Sequence, residues 1–311
     1  MTHRTITLLL LLTIVLPAAA QTDADATARA SELMGEAIRA FDIKRHKKAL
    51  TLMAKAIEAD PKSAKAYDLR AKMHKDLKNY QAAANDYTAI FKLPEKTWKI
   101  RSGRKFVTVA QLHQTRGIAN FKAGNIKESI ADFDAFLKAY PDQAPYHWQR
   151  GISYYYSGDF KKGVAQFEIH KKVNPNDVEN AVWHFLCKAR VDGADKARAA
   201  LIDIASDGRI PMMKVYAMYK GTASETDVLS AAKAGSPQPH QLQNRLFYAH
   251  LYIGLYHEAL GKAEEARKHI DLSVNKYPSD HYMGDVARVH LDIMKKRDKK
   301  KTESTADAPP K

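Results

Sequence analysis

Apolar residues recur along most of the chain at the three- and four-residue spacings of amphipathic helices. Ile130, Phe133, Phe136 and Leu137 form one such stripe, and the positions between them hold alanine and aspartate. This period places the apolar side chains on one face of a helix. The sequence therefore predicts an all-α protein built from amphipathic helices.

Equivalent residues also recur 34 positions apart in the centre of the chain. The recurring pairs are Gly117 and Gly151, Gly124 and Gly158, Phe133 and Phe167, and Pro141 and Pro175. Residues 116–141 align with residues 150–175 without a gap. This period and these residue types resemble the tetratricopeptide-repeat (TPR) family. The resemblance implies helical hairpins with a small residue on the first helix, a glycine-containing turn and a closing proline.

A hairpin of this kind cannot bury its apolar face alone, so neighbouring hairpins must stack into one core. We therefore predict a right-handed TPR solenoid of five units with a helical insert and a C-terminal cap helix. The predicted segments are a signal peptide (1–20), TPR units 1 and 2 (30–93), a basic linker loop (94–107), units 3 and 4 (110–175), an irregular helical insert (176–245), unit 5 with the cap helix (247–294) and a disordered basic tail (295–311).

The N-terminal pattern predicts export. Arg4 precedes an apolar run from Ile6 to Leu16, and small residues follow at Ala18–Ala20, which is the pattern of a cleavable signal. The run is too short for the roughly 30 Å hydrocarbon core of a membrane. Gln21 stands where a lipoprotein signal would have cysteine. We expect an exported, soluble and periplasmic protein without a lipid anchor.

The formal net charge of +15 is large, and Cys187 is the single cysteine, so no internal disulfide can form. A basic balance often indicates nucleic acid, but an exported protein instead meets anionic wall polymers, membrane surfaces and acidic proteins. Direct binding of an anionic polymer or membrane surface through a basic face is therefore the main alternative to protein binding.

Catalytic and cofactor motifs are missing from the sequence. It contains neither HExxH, GxGxxG, GxxxxGK[ST] nor GxSxG. Histidine pairs such as His250 and His257 can approach only through tertiary packing, and satisfied or surface histidines are expected. Cys187 lies in an apolar helical stretch, where a buried structural thiol is expected. We predict no metal, no cofactor and no enzyme, with a Cys187-dependent hydrolase as a remote alternative.

Aromatic residues concentrate on the first helices of units 3 and 4, at positions that line the concave groove in TPR proteins. The candidate partner groove consists of Gln114, Phe121, Lys122, Trp148, Tyr155 and Tyr156. Rigid aromatic side chains serve as binding anchors, although they also pack between hairpins. A weaker basic groove is predicted at Lys65, Lys72 and Lys75, for which a solvated mixed-charge face is the alternative.

A narrower resemblance covers about residues 108–294. The segments NPNDVENAVWHFL (174–186) and LFYAHLYIGLYHEALGKAEEARKHIDLSV (246–274) are similar to those of NlpI-type envelope TPR proteins. The resemblance implies a non-catalytic adaptor that presents envelope proteases and peptidoglycan hydrolases to one another. It leaves homodimerisation open, because this chain adds two N-terminal repeats and lacks the lipobox cysteine.

Overall fold

The fold is described from a computed structural model, which covers residues 18–98, 100–103 and 105–306. Residues 1–17, which form most of the predicted signal peptide, lie outside the described residues. The helices are α1 (Ala18–Asp42), α2 (His46–Ala59), α3 (Ala64–Asp76), α4 (Tyr80–Phe91), α5 (Val109–Ala123), α6 (Ile126–Ala139), α7 (Trp148–Ser157), α8 (Phe160–His170), α9 (Val178–Asp192), α10 (Ala194–Ala199), α11 (Met212–Lys220), α12 (Glu225–Lys233), α13 (Pro239–Ala259), α14 (Ala263–Asp271) and α15 (Tyr282–Ala306).

Short elements connect some of these helices. They are two 3₁₀ segments, Glu95–Thr97 and Pro141–Tyr146, a π-helical segment, Leu272–Lys276, and two short strands, β1 (Arg101–Ser102) and β2 (Lys105–Phe106). The chain divides into two compact units. The first unit comprises Met1–Lys78 and Asn85–Val107, and the second comprises Asn79–Ala84 and Thr108–Lys311.

The first unit is built around the α1–α2 hairpin. Ala37 and Met53 are fully buried on facing helices and belong to one apolar cluster that continues onto α3 at Ala66. Arg70 forms a two-pronged ion pair with the buried carboxylate of Asp86, with the shorter contact at 2.6 Å. Such a bidentate pair fixes the direction of both side chains.

Three helical hairpins of the second unit share one packing device. In each, a glycine of the first helix lies against a large side chain of the second: Gly117 on Phe133, Gly151 on Phe167 and Gly254 on Ile270. A Cβ at these glycines would stand 2.7, 2.7 and 2.8 Å from the respective side chains. Glycine therefore permits the close approach of the two helices that the TPR resemblance implies. The predicted all-α fold of TPR hairpins is confirmed.

The segment 94–107, which the sequence predicts as a loop, contains a 3₁₀ turn and the antiparallel β1–β2 pair. Two apolar side chains anchor this segment. Trp98 and Ile100 are buried, and the Trp98 indole donates to the Leu93 carbonyl at 3.2 Å. Burial of these two side chains holds the basic segment in place.

The segment 176–245, predicted as an irregular insert, supplies the centre of the second unit. Asp177 caps α9 by accepting from the Glu179 backbone N–H at 3.1 Å. Helix α9 then buries most of its residues, including Trp183 and Phe185, against α8, α10 and α11. Helix α9 is therefore a core element to which the repeat hairpins are joined.

Helix α15 continues through Ala306 and thus into the segment 295–311 for which the sequence predicts disorder. Two ion pairs accompany the extension: Arg297 with Glu258 at 2.7 Å, and Arg267 with Asp298 at 2.9 Å. Over the described residues, none of the helices combines the length and apolar character needed to cross a membrane.

Candidate functional site

Helix α15 lies on the aromatic face that the sequence predicts as a partner groove. Phe121 is fully buried and stacks on Tyr282, with ring centroids 5.6 Å apart. Trp148 meets the same ring edge-on at 5.0 Å. Lys122 pairs with Asp285 at 2.8 Å. The structure thus brings these predicted residues together, but their contact is the chain's own C-terminal helix.

The remaining predicted groove residues also have partners within the second unit. The Tyr156 hydroxyl is 3.1 Å from His290 Nδ1 on α15, and the Tyr155 hydroxyl donates to Glu258 on α13 at 3.0 Å. Gln114 Oε1 lies 2.6 Å from His147 Nε2. This arrangement has no periodic signal in the sequence, because the buried stripe of α15 (Met283, Val286, Ala287, Leu291) shows no 34-residue recurrence.

Glu258 is the electrostatic centre of the α15 contact. Burial acts to raise its pKa, but His290 and the guanidinium groups of Arg297 and Arg190 outweigh it and hold the pKa below its usual value. Burial lowers the pKa of His290 to about 4, although Glu258 favours its charged form. Glu258 is therefore ionised and His290 neutral at pH 7, and the guanidinium groups compensate the carboxylate.

The weaker basic groove lies in the first unit. Lys72 forms an ion pair with Asp68 at 2.6 Å, and Lys65 is exposed. Burial raises the pKa of Asp68 in spite of Lys72. The basic groove at Lys65, Lys72 and Lys75 therefore stays a prediction.

A cavity of about 320 Å³ opens beside the N-terminus of α15. We call it the aromatic pocket. Its walls come from α7, α8, α9, α13 and α15. Its apolar and aromatic lining consists of Trp148, Ile152, Phe167, Trp183, Tyr248, Tyr282 and Met283, and its polar lining consists of His170, Asn174, Asp177, Glu179, Asn180 and His281.

Three buried polar atoms of residues that line the pocket have no hydrogen-bond partner among the described residues. They are Asn180 Oδ1, Trp183 Nε1 and the Tyr282 hydroxyl. The other side of the Asn180 amide is fixed, since its Nδ2 donates to the Phe167 carbonyl at 3.1 Å. Leaving a buried donor or acceptor unpaired costs about 1–3 kcal/mol. Each of these atoms belongs to a residue of the pocket wall but is itself closed off from solvent, so a ligand can pair with it only if the wall side chains move.

The carboxylates of the pocket are already neutralised. Arg209 contacts Asp177 at 2.6 Å and Glu179 at 2.5 Å, and Tyr252 donates a short hydrogen bond to Glu179. Burial acts to raise the pKa of Asp177, but His170 and Arg209 lower it below its usual value. An uncharged polar ligand on aromatic walls suits this electrostatic balance better than an ion.

Cys187 is fully buried, and its sulfur fills the space beside Gly163, where a Cβ would lie 2.6 Å from it. Burial raises the pKa of the thiol far above the physiological range. A nucleophilic cysteine needs access and a depressed pKa. Cys187 has neither property, and it packs as an apolar side chain.

The sequence matches no protein-family model and no curated protein. Solved structures do resemble it. A tetratricopeptide repeat protein from Parabacteroides merdae superimposes with a TM-score of 0.50 at 14% identity, over 86% of this chain and 99% of that one. The fold is that of TPR proteins. Sequence identity at this level shows the fold alone.

Two further solved structures are similar at lower scores. YrrB, described as a TPR protein with an unusual peptide-binding site, has a TM-score of 0.45 at 15% identity, over 70% of this chain and 98% of that one. The type IV pilus biogenesis factor PilW has a TM-score of 0.38 at 18% identity, over 81% of this chain and 95% of that one.

Trp148 is the predicted groove residue that also lines the aromatic pocket. The site residues predicted from the sequence do not include Asn180, Trp183, Tyr248 or Tyr282. A usable signal was present in the two segments that carry the NlpI-type resemblance, because Asn180 and Trp183 lie in the first of them and Tyr248 in the second.

Proposed function

We propose that this protein is a non-catalytic scaffold that binds an extended segment of a partner protein in the aromatic pocket. The observation that supports the proposal is the combination of aromatic walls with an unpartnered acceptor, Asn180 Oδ1, and an unpartnered donor, Trp183 Nε1. A peptide group presents one N–H and one C=O, which complement this pair. Aromatic side chains supply contact area at little entropic cost.

The test uses substitutions that remove one hydrogen-bond donor and keep an aromatic ring. Trp183→Phe removes the indole N–H, and Tyr282→Phe removes the hydroxyl, while both leave an aromatic ring in the wall. Trp98→Phe is the matched control, because its indole N–H lies in the first unit and already donates to Leu93. Circular dichroism establishes that each variant is folded.

Peptides are selected on the wild-type chain from a displayed random library, and their affinities are measured by fluorescence anisotropy. We expect Trp183→Phe and Tyr282→Phe each to weaken binding by about tenfold, as for the loss of one buried hydrogen bond. The control variant should bind as the wild type does. The proposal is wrong if no peptide is selected, or if both pocket variants keep wild-type affinity.

We also propose that the protein acts outside the cytoplasm, with envelope proteases or peptidoglycan hydrolases among its partners. The signal-like pattern around Arg4 and the NlpI-type segments support this proposal. A fusion of residues 1–30 to alkaline phosphatase, which folds only after export, should be active. An Arg4→Glu change combined with a charged residue at Leu10 should abolish that activity, and an inactive wild-type fusion would contradict export.

Binding to an anionic wall polymer is a second candidate. The feature that favours it is the exposed basic end of α15, which includes Lys295 and Lys296. Co-sedimentation with purified cell wall should then weaken steeply between about 0.05 and 0.5 M salt, because screening shortens the range of the attraction. Retention that does not depend on salt would exclude this electrostatic mode.

A further inference from the structure

Three side chains from three helices converge at the C-terminal end of α13. Glu225 is the first residue of α12, His257 lies in the last turn of α13, and His269 lies near the end of α14. One ligand atom from each lies within 4.8 Å of the other two. Both imidazoles direct Nε2 at the same carboxylate oxygen, Glu225 Oε2, at 2.8 Å from His257 and 3.8 Å from His269.

These separations suit a tetrahedral metal. Zinc bonds of about 2.0–2.1 Å to nitrogen and oxygen place neighbouring ligand atoms about 3.3 Å apart. The two Nε2–Oε2 separations, 2.8 and 3.8 Å, bracket that value, and the ligand atoms of the two imidazoles lie within 4.8 Å of each other. Imidazole and carboxylate are the ligand types that zinc uses in sites with three protein ligands and one open position.

A further histidine supports one of the three ligands, His269, whereas His257 Nδ1 has no hydrogen-bond partner among the described residues. His269 Nδ1 lies 3.0 Å from His250 Nδ1, so the face of His269 that points away from Glu225 is held by a hydrogen bond. His250 itself stacks on Tyr277, with ring planes 3° from parallel and centroids 5.3 Å apart. Metal-bound histidines commonly have their second nitrogen held in this way, which fixes the ring and its tautomer.

The exposure of the three residues fits a site that solvent can reach. His257 and His269 are buried, and the Glu225 side chain is 46% exposed. The two imidazoles are thus held by the packing of α13 and α14, and the carboxylate closes the site from the surface. Lys268 is the nearby cation that acts on Glu225 and His269, and it opposes metal binding.

We propose that Glu225, His257 and His269 bind a zinc ion that ties α12 to the α13–α14 hairpin. A solvent molecule fills the fourth position, and His250 acts as a positioning residue through His269. An ion held in this way stabilises the folded chain, since an unfolded chain does not keep three ligands together. This site is independent of the aromatic pocket and of the proposed peptide binding.

The test is zinc titration of the full chain after removal of metal with a chelator. Isothermal titration calorimetry with zinc chloride should show one site in the wild type. Glu225→Gln keeps the size of a partly exposed side chain and removes its charge, so it is the variant least able to disturb folding. It should weaken zinc binding at least tenfold, and His257→Gln more than that. His240→Gln is the control, because His240 is exposed on α13 and far along the chain from the cluster.

His250→Phe separates a positioning role from general packing. It keeps the stacking on Tyr277 but removes the hydrogen bond to His269, so zinc binding should weaken about 10–100-fold while the unfolding temperature without zinc stays close to that of the wild type. X-ray absorption at the zinc edge should show nitrogen and oxygen neighbours at about 2.0–2.1 Å. A wild-type chain that binds no zinc, or a Glu225→Gln variant that binds zinc as the wild type does, overturns the proposal.

Discussion

The hairpins of the first and second units use one template with different residues. The contact positions on the first helices are Ala37 and Ala71 in the first unit and Gly117 and Gly151 in the second. The facing positions on the second helices are Met53 and Tyr87 in the first unit and Phe133 and Phe167 in the second, and all four of these side chains are buried. Glycine is therefore paired with phenylalanine, whereas alanine accompanies other large side chains.

The turns between the helices also have glycine in the second unit and a residue with a side chain in the first. The left-handed residue between the helices is Gly124 or Gly158 in the second unit, at φ of 85° and 86°. The first unit has Lys44 and Lys78 there, at φ of 58° and 57°. The backbone conformation is the same although the residue differs. The hairpin therefore determines the turn geometry, and the residue type does not. The first unit therefore carries backbone strain that glycine removes from the second.

Acidification should distinguish the two units most strongly. Burial lowers the pKa of His147 and His290 in the second unit to about 4, against an unfolded value near 6.5. His147 is held neutral, since its Nδ1 accepts from the Arg150 N–H at 3.3 Å and its Nε2 faces Gln114. Protons thus bind the unfolded chain first, and the stabilisation present above pH 6.5 is lost as the pH falls towards 4.

At pH 5 each of these histidines should cost the second unit roughly 2 kcal/mol of its free energy of unfolding. Hydrogen exchange followed by mass spectrometry, corrected for the intrinsic rate, measures this for each helix of the full chain at pH 7.5 and 5. The His147→Gln variant should show a smaller loss in α5 and α7. In the first unit, burial lowers the pKa of His74. Equal losses of stability in that unit would contradict the comparison.

Removing the large facing side chain should have the next largest effect. Phe167→Ala deletes a fully buried ring and should destabilise the second unit by about 3–5 kcal/mol, whereas Met53→Ala in the first unit should cost about 2–5 kcal/mol. Chemical denaturation of each variant, with local exchange to assign the affected unit, measures both. Because the gap beside Gly151 is shaped to the Phe167 ring, a loss below about 1 kcal/mol for Phe167→Ala would show that the ring is not packed as described.

Exchanging glycine and alanine at the contact positions should destabilise both units, although the residue becomes larger in the second unit and smaller in the first. Gly117→Ala places a Cβ 2.7 Å from the Phe133 ring and should cost about 1–3 kcal/mol, even though alanine is the better helix former. Ala37→Gly should cost about 1 kcal/mol, because glycine lowers helix propensity. A double variant, Gly117→Ala with Phe133→Leu, should lose less than the sum of its single changes. Additive losses would mean that the two residues do not compete for space.

The smallest expected effect is at the turns. Lys78→Gly should raise the stability of the first unit by about 0.5 kcal/mol, which is the left-handed penalty of about 1–2 kcal/mol less the entropic cost of glycine, about 0.5–1 kcal/mol. Gly124→Ala in the second unit should have the opposite sign. Denaturant midpoints measure both changes, and a stabilising Gly124→Ala would contradict the explanation from backbone strain.

The repeats were predictable because their signal is local and periodic. Gly117, Phe133 and their counterparts recur at a fixed period, and that period alone identifies the hairpins and the close helix contact. The docking of α15 has no such signal. Phe121 and Tyr282 are in contact although they lie far apart in the sequence. Aromatic residues on a first helix are equally compatible with a partner groove and with a buried core.

The histidine cluster and the aromatic pocket were out of reach for a related reason. Glu225, His257 and His269 come from three helices with no motif spacing, so only the packing of those helices brings the ligand atoms together. Asn180 and Trp183 were visible as part of a helix, but the sequence does not show which of their polar atoms are left without a partner.

The position of Tyr282 and Met283 in the wall of the aromatic pocket has a thermodynamic consequence. Helix α15 supplies part of the site, so the undocked helix leaves the site incomplete, and ligand occupancy and helix docking are linked equilibria. A ligand at one hundred times its dissociation constant would add about 2.7 kcal/mol to the docked state. In reverse, a substitution that lowers the docked fraction of α15 would lower the apparent ligand affinity by the same factor, without contacting the ligand.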